Sequence, residues 1–234
     1  MYEYEKSMFY GLKSTMNAEQ DAYVRAILGT PVVFANAKAG TGKTLLAYAS
    51  LHFLKTHGVI DKIYYIFSPV EEGKMGFRPG TQQEKSLDYA SPLVRTMTKL
   101  NINPHFEMAD SSQGTELVPH TFLRGDTKER SGIIYDEAQN YTLREFKKAL
   151  TRPMDDCHLV AIGHEAQIDL LYPEESGFMP YLHHFGKLPE DKVKVCQLTK
   201  NYRGWIANHA DALFDPTMPV FKPTPQVVTG EANG

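Results

Sequence analysis

The sequence predicts a three-layer α/β fold built on a mostly parallel central sheet. Three observations carry this: apolar, β-branched runs alternate with amphipathic helical runs, a glycine-rich loop closes one of those runs and opens a helix, and a pair of acids closes another. Strands separated by helices are joined by crossovers, and crossovers cover both faces of a parallel sheet.

Taken in chain order, residues 1–16 hold Tyr2, Tyr4, Phe9 and Tyr10 and read as an arm that packs on the domain or on a neighbour. Asn17 and Gln20 have the spacing of a capping box, opening a helix with Tyr23, Ile27 and Leu28 on one face and Gly29 at its end. Thr30 to Ala37 reads as a buried strand. Lys43 to His57 follows as a helix, with Leu46, Ala49, Phe53 and Leu54 at helical spacing and Gly58 closing it. Further strands are predicted at Lys62 to Ser68, Ser131 to Asp136, His158 to Gly163 and Val193 to Thr199, with helices at Leu143 to Leu150 and Trp205 to Phe214. Between them, 70–92 is punctuated by Gly and Pro and reads as an elaborated loop with a short helix. One domain is thus expected over 17–214. A tail over 215–234 carries Pro216, Pro219, Pro223 and Pro225.

With 234 residues, 42% of them hydrophobic and 23% charged, the chain can bury one sizeable core. No apolar run approaches the ~18 residues of a membrane span, and the start M-Y-E-Y-E-K-S lacks the basic and apolar regions of a signal peptide. No membrane partner is expected, and the cytoplasm is the expected address. A net charge of −3 lacks the basic field of a dedicated polyanion binder. Two cysteines, Cys157 and Cys196, cannot build a disulfide framework or a zinc ribbon and read as reduced core thiols. Among nine histidines, the adjacent His183 and His184 diverge on any regular element and have no acidic or thiol partner at ligand spacing.

The strongest chemical signal is A-K-A-G-T-G-K-T, Ala37 to Thr44, placed between a strand and a helix. In such a phosphate loop, backbone N–H groups, here those from Ala39, Gly40, Thr41, Gly42, Lys43 and Thr44 to Leu45, wrap a phosphate beside the positive end of the helix. Gly40 and Gly42 permit positive φ and close approach. Lys43 reaches the β- and γ-phosphates, and the Thr44 hydroxyl holds Mg²⁺. Ala37 stands where the pattern usually has its first glycine, at a position that asks for a small side chain more than for positive φ.

A carboxylate on a neighbouring strand completes the metal shell, and a second orients the attacking water. The run G-I-I-Y-D-E-A-Q-N, Gly132 to Asn140, supplies Asp136 for the metal and Glu137 for the water.

Together these residues resemble the PhoH-like family, P-loop ATPases whose core is similar to the first RecA-like domain of superfamily 1 helicases. The resemblance runs from Asn17 to Phe214. Its carriers are N-A-E-Q-D-A-Y-V-R-A-I-L, A-G-T-G-K-T, S-P-V-E-E-G-K-M-G-F-R-P-G (Ser68 to Gly80), F-L-R-G-D-T (Phe122 to Thr127), I-I-Y-D-E-A-Q-N, A-L-T-R (Ala149 to Arg152) and G-H-E-A-Q-I-D-L (Gly163 to Leu170). It implies a RecA-like P-loop fold, ATP with Mg²⁺ as ligand, and hydrolysis coupled to work on RNA or single-stranded nucleic acid. Gln20 would read the adenine edge and Gln167 would sense the γ-phosphate, with His164 standing where helicases usually have an aspartate. Ser68 and Pro69 fall where helicases touch a nucleic-acid backbone, beside Glu71 and Glu72.

An arginine usually stabilises the transferring phosphoryl. Arg203 in L-T-K-N-Y-R-G resembles the N-Y-R element of helicases, with Arg152 and Arg124 as rivals; Asp126 departs from the R-G-R-T form common in the family. Helicases close the nucleotide between two RecA-like domains, and this chain has room for one. A ring-like homo-oligomer, with a hexamer as one form, is therefore expected to supply the arginine across an interface. Two other functions fit the same loop and acids. One is a nucleoside kinase, which would transfer the phosphate to a nucleoside rather than to water. The other is an ATP-gated binding protein with little turnover.

Overall fold

In the computed structural model, the described residues are 2–68, 82–110, 112–123 and 127–211. They begin with α1 (Tyr2–Lys6), α2 (Ala18–Gly29), β1 (Val32–Ala37), α3 (Lys43–Thr56) and β2 (Lys62–Phe67). Next come α4 (Gln82–Lys99), α5 (Pro104–Ala109), β3 (Thr115–Pro119), β4 (Ser131–Tyr135) and α6 (Leu143–Leu150). The last are β5 (His158–Gly163), α7 (Phe178–Phe185), β6 (Val193–Leu198) and α8 (Trp205–Asp211). Two compact units divide the chain, 1–200 and 201–234, and the sheet lies in the first.

The six strands form one sheet in the order β3-β2-β4-β5-β1-β6, with every neighbouring pair parallel. One face packs on α2, α3 and α4 through a core that includes Val24, Ile27, Leu51, Leu93 and Met97. The other packs on α6 and α7 through Phe34, Phe146, Phe178 and Leu182. Helices on both faces of a parallel sheet make the three-layer, RecA-like α/β architecture that the alternating pattern predicts. In such a sheet, every strand ends on the same edge. Ala37, Asp136 and Gly163 therefore come together there, with β5 lying between β1 and β4.

Local signals explain the elements that hold this edge. The Asn17 side chain accepts from the Gln20 backbone N–H while the Gln20 side chain accepts from the Asn17 N–H, a capping box that starts α2. Thr142 and Glu145 make the same reciprocal pair at the start of α6. Residues 1–16 pack onto the first unit: Tyr4 and Phe9 are buried against Phe53, and the Tyr10 hydroxyl lies 2.6 Å from His52 Nδ1.

Four elements depart from the sequence reading, among them α5, which fills a segment that had no element assigned. β3 is an additional strand, hidden in the pattern by Glu116 and Pro119; an edge strand tolerates both, because only one side of its backbone is paired. α4 runs to Lys99 with Pro92 inside it, so a residue that usually breaks helices does not end this one. Leu93, Met97 and Leu100 anchor its last turns in the core. α7 fills a segment to which the sequence reading assigned no element, and its Phe178 presses on Gly163, where a Cβ would come within 2.8 Å of the ring.

Candidate nucleotide site

β1 delivers the chain to the phosphate loop, and the loop is fixed from several sides. Lys38 N–H donates to the Leu198 carbonyl at the end of β6 (3.1 Å), and the Thr41 hydroxyl donates back to the Lys38 carbonyl (3.0 Å). Gly40 and Gly42 take φ of 74° and 80°, the left-handed values that glycine adopts without strain. The turn at Gly42 aims the first N–H groups of α3 into the loop, where no intrahelical acceptor exists for them. Ala39 and Thr41 are buried, while Leu45 is half-buried in the first turn of α3.

Lys43 is the charge in this cradle. Its ammonium donates to the Ala37 carbonyl at 3.4 Å and lies 3.7 Å from a Glu137 carboxylate oxygen. The Thr44 hydroxyl lies 3.3 Å from both carboxylate oxygens of Asp136. An octahedral magnesium shell sets adjacent oxygens about 2.9 Å apart. A hydroxyl and a carboxylate at 3.3 Å can therefore share one cation after a small approach. The donor set of one hydroxyl and one carboxylate suits a hard cation whose other ligands are water and phosphate.

Burial pushes the Asp136 carboxyl above the usual carboxylate range, and the neighbouring Glu137 charge adds to this. The Tyr65 hydroxyl, which donates to Asp136, and the Lys43 charge offset only part of that penalty. The carboxylate is thus held where only an added positive charge would fully settle it. Glu137 itself is in the left-handed region, with φ 50° and ψ 42°, and its side chain is 48% exposed. A non-glycine residue held there stores strain, and here the strain turns an acid out of the end of β4 toward Lys43.

Three buried amides tie the loop after β5 to this site, and the sequence reading assigned none of them a role. Gln139 donates to Glu137 at 2.6 Å and to the Gln167 carbonyl at 2.9 Å, and accepts from the His164 N–H at 3.1 Å. Asn140 pairs with Asp169 through both amide atoms, at 3.1 and 2.7 Å, and Asn36 pairs likewise with Glu165 at 3.1 and 3.4 Å. The signal was the run of polar residues at strand ends: buried amides must find partners, and irregular backbone is where unmatched partners lie. Tyr65 was missed for the opposite reason, since its hydroxyl sits inside an apolar, alternating strand.

The remaining expected residues divide. Gln20 is buried and donates to the Thr41 carbonyl at 2.8 Å, joining α2 to the phosphate loop. An amide offers two N–H groups and two acceptor sites, so one of each is left to read a base edge. Gln167 lies on the tethered loop, its position set by Gln139. Arg152 is not brought to the site: α6 carries the chain back to the edge where strands begin, and the Arg152 carbonyl accepts from Lys128 just ahead of β4. Arg203 falls in the second unit, where its N–H donates to Asn201 at 2.7 Å. Arg124, Asp126, residues 69–80 and the tail from 212 onward lie outside the described residues.

A parallel sheet, a lysine-bearing phosphate loop on one strand and an acid pair two strands away define the P-loop NTPase class of fold. Within that class, the family model described as "PhoH-like protein" matches residues 14–209. The chain belongs to the PhoH-like family. It is 38% identical to a PhoH-like protein of Mycobacterium tuberculosis over 183 residues, covering 77% of this chain and 51% of that one. A PhoH-like protein of Bacillus subtilis is 35% identical, covering 75% and 58%. Protein PhoH of Escherichia coli is 30% identical, covering 72% and 49%. The chain thus spans about half the length of the curated relatives it matches. Among solved structures, the HK97 bacteriophage large terminase matches with a TM-score of 0.48 at 14% identity, over 89% of this chain and 44% of that one. The Sulfolobus solfataricus SWI2/SNF2 ATPase core in complex with dsDNA matches at 0.45 and 14%, over 77% and 43%. Among the described residues, no helix is long and apolar enough to cross a membrane.

Proposed function

We propose that this chain binds ATP with Mg²⁺, hydrolyses it, and couples hydrolysis to remodelling of RNA or single-stranded nucleic acid. The observation that carries the reading is the meeting at one edge of two pairs, Thr44 with Asp136 at 3.3 Å and Lys43 with Glu137 at 3.7 Å. The loop N–H groups and Lys43 would hold the β- and γ-phosphates. Thr44 and Asp136 would hold the magnesium, which neutralises charge on the phosphate oxygens when bound. The Lys43–Glu137 pair is 3.7 Å long and open to solvent on its Glu137 side, and is therefore weak. An arriving triphosphate competes for Lys43 and frees the Glu137 carboxylate to orient a water and take its proton.

ATP turnover measured with and without RNA and single-stranded DNA tests the coupling. Stimulation by one polymer is expected, and indifference to both sinks that part. Turnover that survives both Lys43→Ala and Glu137→Gln would sink the site itself.

The same reading includes a ring-like homo-oligomer, up to a hexamer, in which a neighbour supplies the arginine. Arg203 remains the first choice. Arg152 lies at the edge where the strands begin, away from its own phosphate loop, where only a neighbouring subunit's site could use it. Full ATPase activity in a strictly monomeric sedimenting species would overturn the ring.

A further inference from the structure

We infer that the outer face of α6 is a contact surface for the phosphates of a single-stranded polynucleotide, made by Arg144, Lys147 and Lys148. The inference deepens the polynucleotide part of the reading above, by giving that partner a surface, and rests on it.

Its basis is a charge imbalance on one short helix. Arg144, Lys147 and Lys148 stand at i, i+3 and i+4 and are all exposed, while Phe146 and Ala149 bury the opposite face. Elsewhere on the described surface, cations meet acids: Arg25 with Asp21, Lys62 with Glu116, Arg130 with Asp61 and Lys194 with Glu190. Among the described residues, no acid lies within ion-pair reach of the three cations of α6. Glu145, the one acid of that helix, is taken by Thr142 and His120. Like charges at these spacings repel one another and weaken a helix. Lys147 and Lys148 lie in the last turn, where a cation suits the negative end of the helix. Arg144 lies in the first turn, at the positive end, where it does not. Helix stability gives no reason for this arginine, and an anionic partner does.

Dimensions and surroundings select the partner. One step from i to i+4 is about 6 Å along the axis, close to the separation of successive phosphates on one strand. The whole of α6, Leu143–Leu150, spans about 12 Å, room for two or three of them. Acids bound the patch at both ends. Glu174 and Glu175 are exposed in the turn whose Ser176 bridges to Thr142, and Asp155 and Asp156 are exposed beyond the foot of the helix. That border leaves no margin for the second strand of a duplex, while a single backbone fits along α6. The head of the helix is also joined to the nucleotide site. The Tyr141 hydroxyl donates to the Ile66 carbonyl (3.1 Å) and to the Asp136 carbonyl (3.3 Å). A shift of the acid pair on hydrolysis would therefore reach the first turn of α6 through one buried ring.

The test is binding of labelled oligouridylate and oligothymidylate to the full chain, with a nonhydrolysable ATP analogue and magnesium, across a salt series. The triple variant Arg144→Gln, Lys147→Gln, Lys148→Gln removes three phosphate contacts and keeps good helix formers. At ~0.7 of log–log salt slope per contact on a single strand, it should lose about two units of slope. Between about 50 and 200 mM salt, the wild type should therefore lose roughly 20-fold more affinity than the variant. ATP turnover without polymer should match the wild type, while stimulation by polymer falls with the affinity. Arg144→Gln alone should remove about a third of the slope change, and it keeps the test open should the triple variant misfold. Equal salt slopes in wild type and triple variant would overturn the inference. So would poly-L-glutamate that binds as well as the oligonucleotides and is lost equally in the variant, which marks an acidic protein partner. A wild type that binds neither oligonucleotide would instead sink the polynucleotide reading itself.

Discussion

At the edge where the strands end, Asp136 is buried, with the Tyr65 and Thr44 hydroxyls and the Glu137 N–H as donors and a second acid beside it, and its carboxyl is pushed upward. At the edge where they begin, Glu107 is a part-buried carboxylate, its side chain 12% exposed, and its surroundings do the reverse. It accepts from Lys55 and from the Thr115 hydroxyl (2.8 Å), with His52 Nε2 at 3.8 Å. Burial alone would lift it, but the bonds from His52, Lys55 and Thr115 outweigh this and hold it at about 2. At one acid the chain's donors outweigh burial, and at the other burial with a neighbouring acid outweighs them. Satisfied buried polar groups support a fold, whereas unsatisfied ones mark where a ligand must act.

Separating these two roles by mutation sharpens the contrast. The largest effect should come from Lys43→Ala and Glu137→Gln, each lowering ATP turnover about 10²–10⁴-fold, while Glu107→Gln stays within about twofold of the wild type. Comparable losses from all three would erase the distinction between the edges. Next, Glu107→Ala leaves Lys55 beside an emptied site and should cost about 3 kcal/mol. For a chain of this size that corresponds to a fall of roughly 6–12 °C in melting temperature. Because the folded carboxyl sits at about 2 against a reference of 4.5, its contribution is complete above pH 4.5 and is lost as pH falls toward 2. Acid unfolding of Glu107→Gln followed by circular dichroism should lack that portion of the slope.

Asp136→Asn should do the opposite of Glu107→Ala. It removes a buried charge whose folded carboxyl is pushed up, a cost present once pH rises above the ordinary carboxylate range. The nucleotide-free protein should therefore gain about 1 kcal/mol in calorimetry while turnover is lost. A destabilised Asp136→Asn would mean that the carboxylate is as well satisfied as Glu107. The smallest effect is expected from Tyr65→Phe, which removes one donor to Asp136. A few-fold change in the magnesium concentration for half-maximal turnover is the measure, at about 1 kcal/mol for one hydrogen bond.

How much could be read beforehand follows the range of the interactions. The capping box at Asn17, the phosphate loop and the acid pair act within a few residues, and each was legible from its spacing, whereas the box at Thr142 has the same spacing and went unread. The bounds of α6, Leu143–Leu150, coincide with those read from the sequence because a cap and its hydrophobic stripe lie together. β3 was not legible, since an edge strand needs only half of a strand's pattern. Nor were the amide tethers, because Gln139, Asn140 and Asn36 find their partners about 25 or more residues away, through strand order alone. Arg152 shows the same limit from the other side: nothing in A-L-T-R reveals that the crossover carries this residue to the far edge from its own phosphate loop.

The left-handed backbone at Glu137 makes position 137 report on two properties at once. Gln changes the acid and leaves the conformation alone. Val or Ile adds a steric penalty of about 1–3 kcal/mol from its branched Cβ, so a dead variant of that kind says little about chemistry. Gly removes the acid and relaxes the chain together, and should yield an inert protein that outlasts the wild type on heating. A saturation library at this codon, scored separately for abundance and for activity, would therefore spread along two axes where most positions trace one.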